Sequence, residues 1–203
     1  GIEPVAGEFT GVVVAEVEDK QPHPEADRLN VCQVDDGSGA LVQVVCGAPN
    51  VAAGQKVLFA QVGAKLPGDF KIRKAKLRGV ESRGMICGAS ELGLEAEASD
   101  GIMVLAADAP VGRDARDFLN LDDNAIEVDL TPNRGDCLSV KGLAREVGVL
   151  NRLAVTAPSI EPVAAQIDDT FPVTVSAPEA CPRYLGRVVR DVNVAATSPL
   201  WLE

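Results

Sequence analysis

The sequence predicts a mainly β protein with an α+β second part: a small closed β-barrel, a strand-turn-helix unit, and the first strand of a further domain. Three observations carry this. Between Phe9 and Leu105, short apolar or β-branched runs alternate with turns rich in Gly, Pro, Asp and Asn. Helical spacing of apolar residues sets in only after Asp136. Hydrophobic residues make up 46% of 203 positions, which supports a buried core and argues against disorder.

Phe9 to Val17 is β-branched and bounded by turn residues, so it forms the first strand. Gln21-Pro-His-Pro-Glu-Ala-Asp-Arg28 is a loop, because its prolines cannot donate to a ladder. Leu29 to Val34 is the second strand, Asp35-Asp-Gly-Ser-Gly39 a hairpin turn, and Ala40 to Cys46 the third strand. Gly47-Ala-Pro-Asn50 turns the chain again, and Val57 to Val62, Gly84 to Gly88 and Ile102 to Leu105 continue the meander. Short, closely spaced strands of this kind suit a closed barrel or a sandwich, and the oligonucleotide-binding type of barrel is the economical arrangement.

The texture changes after Pro110-Val-Gly112. Asn120 to Leu130 ends in a strand, and Thr131-Pro-Asn-Arg-Gly-Asp136 is a turn whose polar side chains satisfy backbone groups, with Arg134 pairing locally. Cys137 to Asn151 is a helix, with Val140, Leu143, Ala144, Val147 and Leu150 at helical spacing and Asp136 placed to cap it. Gly142 costs about 1 kcal/mol against Ala inside a helix, so it marks close packing on a neighbour. Leu153 to Pro182 reads as extended, and Arg183 to Val192 as the start of a new strand. Ser198-Pro-Leu-Trp-Leu-Glu203 opens like a helix with a cap and a first-turn proline. With a first residue of Gly1, the chain is expected to be a piece of a longer one.

Composition narrows the function. A net charge of −11 argues against non-specific coating of DNA or of anionic membrane. No apolar run approaches the ~20 residues of a membrane span, and no secretory leader is expected. An aromatic share of 3% leaves little for base stacking. Cys32, Cys46, Cys87, Cys137 and Cys181 are scattered and form no Cys-x-x-Cys, which speaks against zinc and a disulfide framework and suits a reducing cytosol. His23, the one histidine, has no nucleophile or second ligand beside it; with Asp27 it is expected to organise its loop through backbone hydrogen bonds. Glu127, Asp129 and Asp136 lack the base or nucleophile that paired-carboxylate catalysis needs, and no glycine-rich phosphate loop is present.

Against this acidic background, Lys65 to Cys87 collects Lys65, Lys71, Arg73, Lys74, Lys76, Arg78 and Arg83 against Asp69 and Glu81. Clustered cations repel one another, so they face either a polyanion or open solvent; the charge pattern alone leaves both readings open. Phe70, Ile72, Ala75 and Leu77 interleave with them and are expected to sit against the core while the cations point outward.

A resemblance joins these observations. Val13-x-x-Glu16-Val17, His23-Pro-Glu-Ala-Asp-Arg-Leu29, Val44-Val-Cys-Gly-Ala-Pro-Asn50, Gly63-Ala-Lys-Leu-Pro-Gly68 and Lys76-Leu-Arg-Gly-Val-Glu-Ser-Arg-Gly-Met-Ile-Cys87 occur in order. Together they resemble the tRNA-binding domain family, an oligonucleotide-binding barrel appended to several aminoacyl-tRNA synthetases. Asp129-Leu-Thr-Pro-Asn-Arg-Gly-Asp-Cys-Leu-Ser139, Gly142-Leu-Ala-Arg-Glu-Val147 and Ala177-Pro-Glu-Ala-Cys-Pro-Arg-Tyr-Leu-Gly-Arg187 are similar to the bacterial phenylalanine–tRNA ligase β-subunit family, near its amino end.

The resemblance implies a division into a lead-in (1–8), the tRNA-binding barrel (9–116), an α+β segment (117–160), and an extended linker with the start of an editing domain (161–203). It implies a cytoplasmic α2β2 ligase that joins phenylalanine to tRNA, with the α subunit as partner and with ATP and Mg2+ used outside this chain. No catalytic, cofactor or metal residue is carried over, and the editing residues fall mostly beyond Glu203. The expected contacts to tRNA phosphates are Lys71, Arg73, Lys74, Lys76, Arg78 and Arg83, with Ser82 as a further donor. The alternative is an assembly or spacer module with little RNA contact of its own.

Overall fold

The computed structural model describes residues 1–94, 101–196 and 198. It divides into two compact units, Gly1–Val128 and Asp129–Glu203. The helix expected from Ser198 onward lies, past that residue, outside the described residues.

The first unit is built on an antiparallel sheet. Its strands are β1 (Ile2–Pro4), β2 (Thr10–Pro22), β3 (Asn30–Asp35), β4 (Leu41–Cys46), β5 (Lys56–Leu66), β6 (Phe70–Lys71), β7 (Ala75–Leu77), β8 (Val80–Ser82), β9 (Gly84–Cys87), β10 (Val104–Leu105) and β11 (Asn124–Ile126). The main sheet runs β10-β5-β2-β3-β4, with β6 and β9 also paired to β5. β5 is the hub: β2 lies along one edge, while β10, β9 and β6 succeed one another along the other.

Side-chain alternation explains why β2 and β5 read as continuous apolar runs. Val12, Val14, Leu58 and Ala60 enter one buried cluster, whereas Ala15, Val17, Val57 and Phe59 enter a second with Cys32, Val34, Val44 and Ile86. Both faces of these two strands are therefore covered, which removes the polar alternate positions of a half-exposed strand.

Two features bend the sheet. Its register slips between Thr10 and Val12, where Gly11 takes a positive φ of 74° with Ala64 Cα 3.0 Å from where a Cβ would stand. It slips again between Val17 and Asp19. Such irregularities coil a strand. At the far edge, Gln43 of β4 accepts the Arg83 N–H through its main-chain oxygen at 2.9 Å. Its Nε2 donates to Glu81 O at 2.8 Å. The edge that β4 leaves open is thus met by the segment between β8 and β9.

β1 and β11 pair antiparallel, Ile2 opposite Ile126, so the lead-in is tied to 124–126. A short helix that sequence reasoning missed, α1 (Ala115–Leu119), is capped by Asp114, whose carboxylate accepts from the Arg116 and Asp117 N–H groups.

In the second unit a 3-10 turn, Gly135–Cys137, precedes α2 (Val140–Asn151). The expected helix begins later than predicted, and Asp136 is not its cap. Ser139 is extended, and its Oγ accepts the Gly142 N–H at 3.1 Å; Asp136 is engaged by Arg134 instead. The apolar stripe is open, with Val140 85% and Leu150 74% exposed. No strand is found over 183–192 among the described residues. No helix among the described residues is long and apolar enough to cross a membrane.

Candidate nucleic-acid interface

The cationic stretch is two small ribbons. In the first, β6 folds back on β5 through Gly68 and Asp69, both at positive φ, and places Lys71 directly opposite Lys65. Like charges across a ladder repel, so an anion over this rung would offset the repulsion. In the second, β7 and β8 pair Ala75 with Ser82, Lys76 with Glu81 and Leu77 with Val80. Arg78 and Gly79 join them, both at positive φ (43° and 87°), the two-residue turn whose twist matches paired strands.

Alternation sorts the second ribbon into faces. Lys76 and Glu81 share one, and the same register carried one rung further sets Lys74 against Arg83 there. Glu81 accepts a hydrogen bond from the Arg83 guanidinium. That bond, then the charges of Arg83, Lys74 and Lys76, hold the Glu81 carboxyl below its ordinary range. Lys71, Arg73, Lys74, Lys76 and Arg78 are exposed, and none forms an ion pair with the described residues.

The opposite face holds Ser82, which is 2% exposed. Its Oγ accepts the Val45 N–H at 3.0 Å and donates to Gly84 O at 3.2 Å. The hydroxyl is spent inside the protein and does not face an external phosphate. Of the interleaved apolar residues only Ile72 is buried; Phe70 is 58% and Leu77 41% exposed, and Ala75 is exposed too. A two-stranded ribbon of two or three rungs is too narrow to bury a face of its own. Ile72 escapes this because its N–H and C=O bond Ala64 and Gly63 of β5.

His23 proves central to this hairpin. It is 5% exposed. Its Nδ1 accepts the Glu25 N–H at 3.1 Å, which leaves the ring proton on Nε2, 3.1 Å from Leu77 O. The loop contact expected of His23 is present, and no side-chain hydrogen bond of Asp27 is found among the described residues. The second contact, 54 residues away, carried no signal in the sequence.

The second unit brings Asp136, Cys137 and Glu146 together in the pattern of a cation site. Arg134 already fills it. Its guanidinium donates to Asp136 at 3.2 and 3.3 Å, to Cys137 Sγ at 3.1 Å, and to Glu146. The Arg134 hydrogen bond lowers the Asp136 carboxyl, and the ion pairs raise the guanidinium further. This is an internal ion-pair network in which two carboxylates share one guanidinium.

The family model described as "Putative tRNA binding domain" matches residues 12–114, the span that carries both ribbons. The phenylalanine–tRNA ligase β subunit of Hahella chejuensis is 62% identical over 200 residues, covering 98% of this chain and 25% of the relative. That of Pectobacterium atrosepticum is 60% identical over 202 residues, with 100% and 25% covered. The chain thus spans about a quarter of the length of these curated relatives. A solved MetRS-related protein from Pyrococcus horikoshii is 22% identical with a TM-score of 0.38, covering 51% of this chain and 87% of that one.

Proposed function

The chain belongs to the tRNA-binding domain family, and from that premise we propose that its two exposed cationic ribbons hold the sugar-phosphate backbone of a tRNA. The carrying observation is the outer face of the β7–β8 hairpin. Lys74, Lys76 and Arg83 crowd there around one carboxylate, with Arg78 at the tip. Arginines fork onto phosphate oxygens, whereas lysines act as mobile point charges. Contacts of this kind place a folded RNA without reading its bases. Few aromatics are needed, and few are present.

The reading includes a closed barrel of oligonucleotide-binding type over 9–116. The Arg83-to-Gln43 and Gln43-to-Glu81 bonds support closure, since they bridge β4 to the strand segment beyond β5. The flanking segments 1–8, 117–160 and 161–203 would be a lead-in, an α+β segment, and an extended linker with the start of an editing domain. The setting we propose is a β subunit of a cytoplasmic α2β2 phenylalanine–tRNA ligase. Catalysis with ATP and Mg2+ would lie outside this chain, and no residue here is assigned to it.

Titration of the chain with tRNA at several salt concentrations tests the reading. Affinity is expected to fall with salt, with a log–log slope of about −0.7 for each phosphate neutralised on single-stranded segments. Arg73→Ala and Arg78→Ala should each weaken binding and flatten that slope. A chain with no salt-sensitive complex would instead be an assembly or spacer module, the reading that its net charge of −11 favours.

A further inference from the structure

Glu81 is out of place on a face that meets phosphate. It stands opposite Lys76 with the charges of Arg83 and Lys74 also acting on it, it is the one carboxylate between Lys74 and Arg83, and Arg83 is bonded to it. Yet among the described residues no hydrogen bond or ion pair but that to Arg83 uses the carboxylate. The packing of β8 against β4 uses the Glu81 main-chain oxygen and the buried Ser82 hydroxyl, not the Glu81 side chain. Both members of the pair are about half in solvent, with side chains 55% and 46% exposed for Arg83 and Glu81. An ion pair this open contributes little stability and exchanges partners readily.

Building on the reading of this face as RNA-holding, we infer that Glu81 stands in for a phosphate: it holds Arg83 in the free protein and gives it up to an RNA phosphate on binding. Two consequences follow from the charges. Arg83 is held by Glu81 before RNA arrives, so less side-chain freedom is lost on contact. A polyanion must also displace a carboxylate, and it leaves that carboxylate facing its own charge. Only a ligand that engages several of the neighbouring cations at once offsets both. Glu81 thereby raises the threshold for loosely held polyanions and favours a folded RNA that reaches both ribbons. Its carboxyl, held below the usual range by Arg83, is ionised at neutral pH as this role needs.

The test is Glu81→Gln in the whole chain, which keeps the shape and the main-chain acceptor for Gln43. Bulk tRNA and inorganic polyphosphate are titrated in parallel across salt. The variant is expected to bind tRNA about three- to tenfold more tightly near 0.15 M salt, with a slope steeper by about 0.7. Polyphosphate should gain at least as much, narrowing the preference for tRNA. Adding Arg83→Ala should shrink the gain, because the part that comes from releasing that arginine is gone and only the repulsion between carboxylate and phosphate is relieved. No gain from Glu81→Gln, or an equal gain without Arg83, overturns the inference while leaving the RNA-holding face standing. If the parent chain and the variant both form no salt-sensitive complex with tRNA, both readings fall.

Discussion

His23 Nε2 donates to the main-chain oxygen of Leu77 across 54 residues of sequence, and this bond fixes the end of the cationic hairpin. The other end is fixed differently, by Ser82 and the Arg83 N–H against β4. Beyond its ladder to β8, the strand carrying Lys76 is thus held at the Arg78 turn by one imidazole.

His23→Phe keeps a ring of similar breadth but strands the Glu25 N–H and the Leu77 C=O. Glu25 and Leu77 are both exposed, so water can take over part of each bond, and the variant should lose about 0.5–1.5 kcal/mol in urea titration. Amide exchange should quicken around 77–80 more than in β2 or β5. Because His23 is the chain's one histidine, imidazole nitrogen NMR reads it without assignment, and the parent should show the Nε2–H tautomer. A ring in the other tautomer, or unchanged exchange near Leu77 in the variant, would refute the latch.

Legibility in the sequence followed the range of the interaction. The strands of the main sheet other than β6 were readable because Val, Leu and Phe runs punctuated by Asp-Gly and Ala-Pro-Asn turns are local signals, whereas β1 and the short β6, β7 and β8 were not read as strands. The cations between Lys71 and Arg83 were equally plain, and their exposure follows from charge. Ser82 was misjudged because a hydroxyl among arginines looks like a donor, while its true partner, Val45 N–H, is set by strand pairing 37 residues apart. The burial of Phe70 and Leu77 was overestimated for a related reason: interleaving implies a buried face only when another layer covers it. Over 183–192 the pattern of a strand was read, and no strand stands there among the described residues.

Acid should weaken the fold through Asp36. Burial alone would raise this carboxyl, but the Ser38 N–H at 3.1 Å and Gln61 Nε2 at 2.8 Å outweigh it and hold the group below its ordinary value. A carboxyl lowered on folding contributes stability that is complete above the unfolded value of about 3.9 and is lost as pH falls through the folded one. Urea titrations from pH 6 downward should show the decline setting in below about pH 5. In Asp36→Asn the part due to this group should vanish, giving a shallower decline than the parent. Parallel curves would show that Asp36 contributes nothing to the acid sensitivity.

Gly142 sets two effects of opposite sign against each other. Alanine in a helix interior is favoured over glycine by about 1 kcal/mol, so on propensity alone Gly142→Ala should stabilise α2. A Cβ there, however, would lie 1.7 Å from Asp136 O and 3.1 Å from Cys137 Cα, backbone atoms of the turn that precedes the helix. Backbone cannot rotate aside as a side chain can, so the turn must shift, and with it the Asp136 and Cys137 groups that Arg134 holds. Disrupting such close packing typically costs 1–3 kcal/mol, which exceeds the propensity gain. Gly142→Ala should therefore lower the helical signal or its melting temperature in the whole chain. Gly135→Ala is the control, since no atom lies within 4 Å of its added Cβ, and it should be neutral or slightly stabilising. If Gly142→Ala proved as benign as Gly135→Ala, the turn would not be seated against α2 as described.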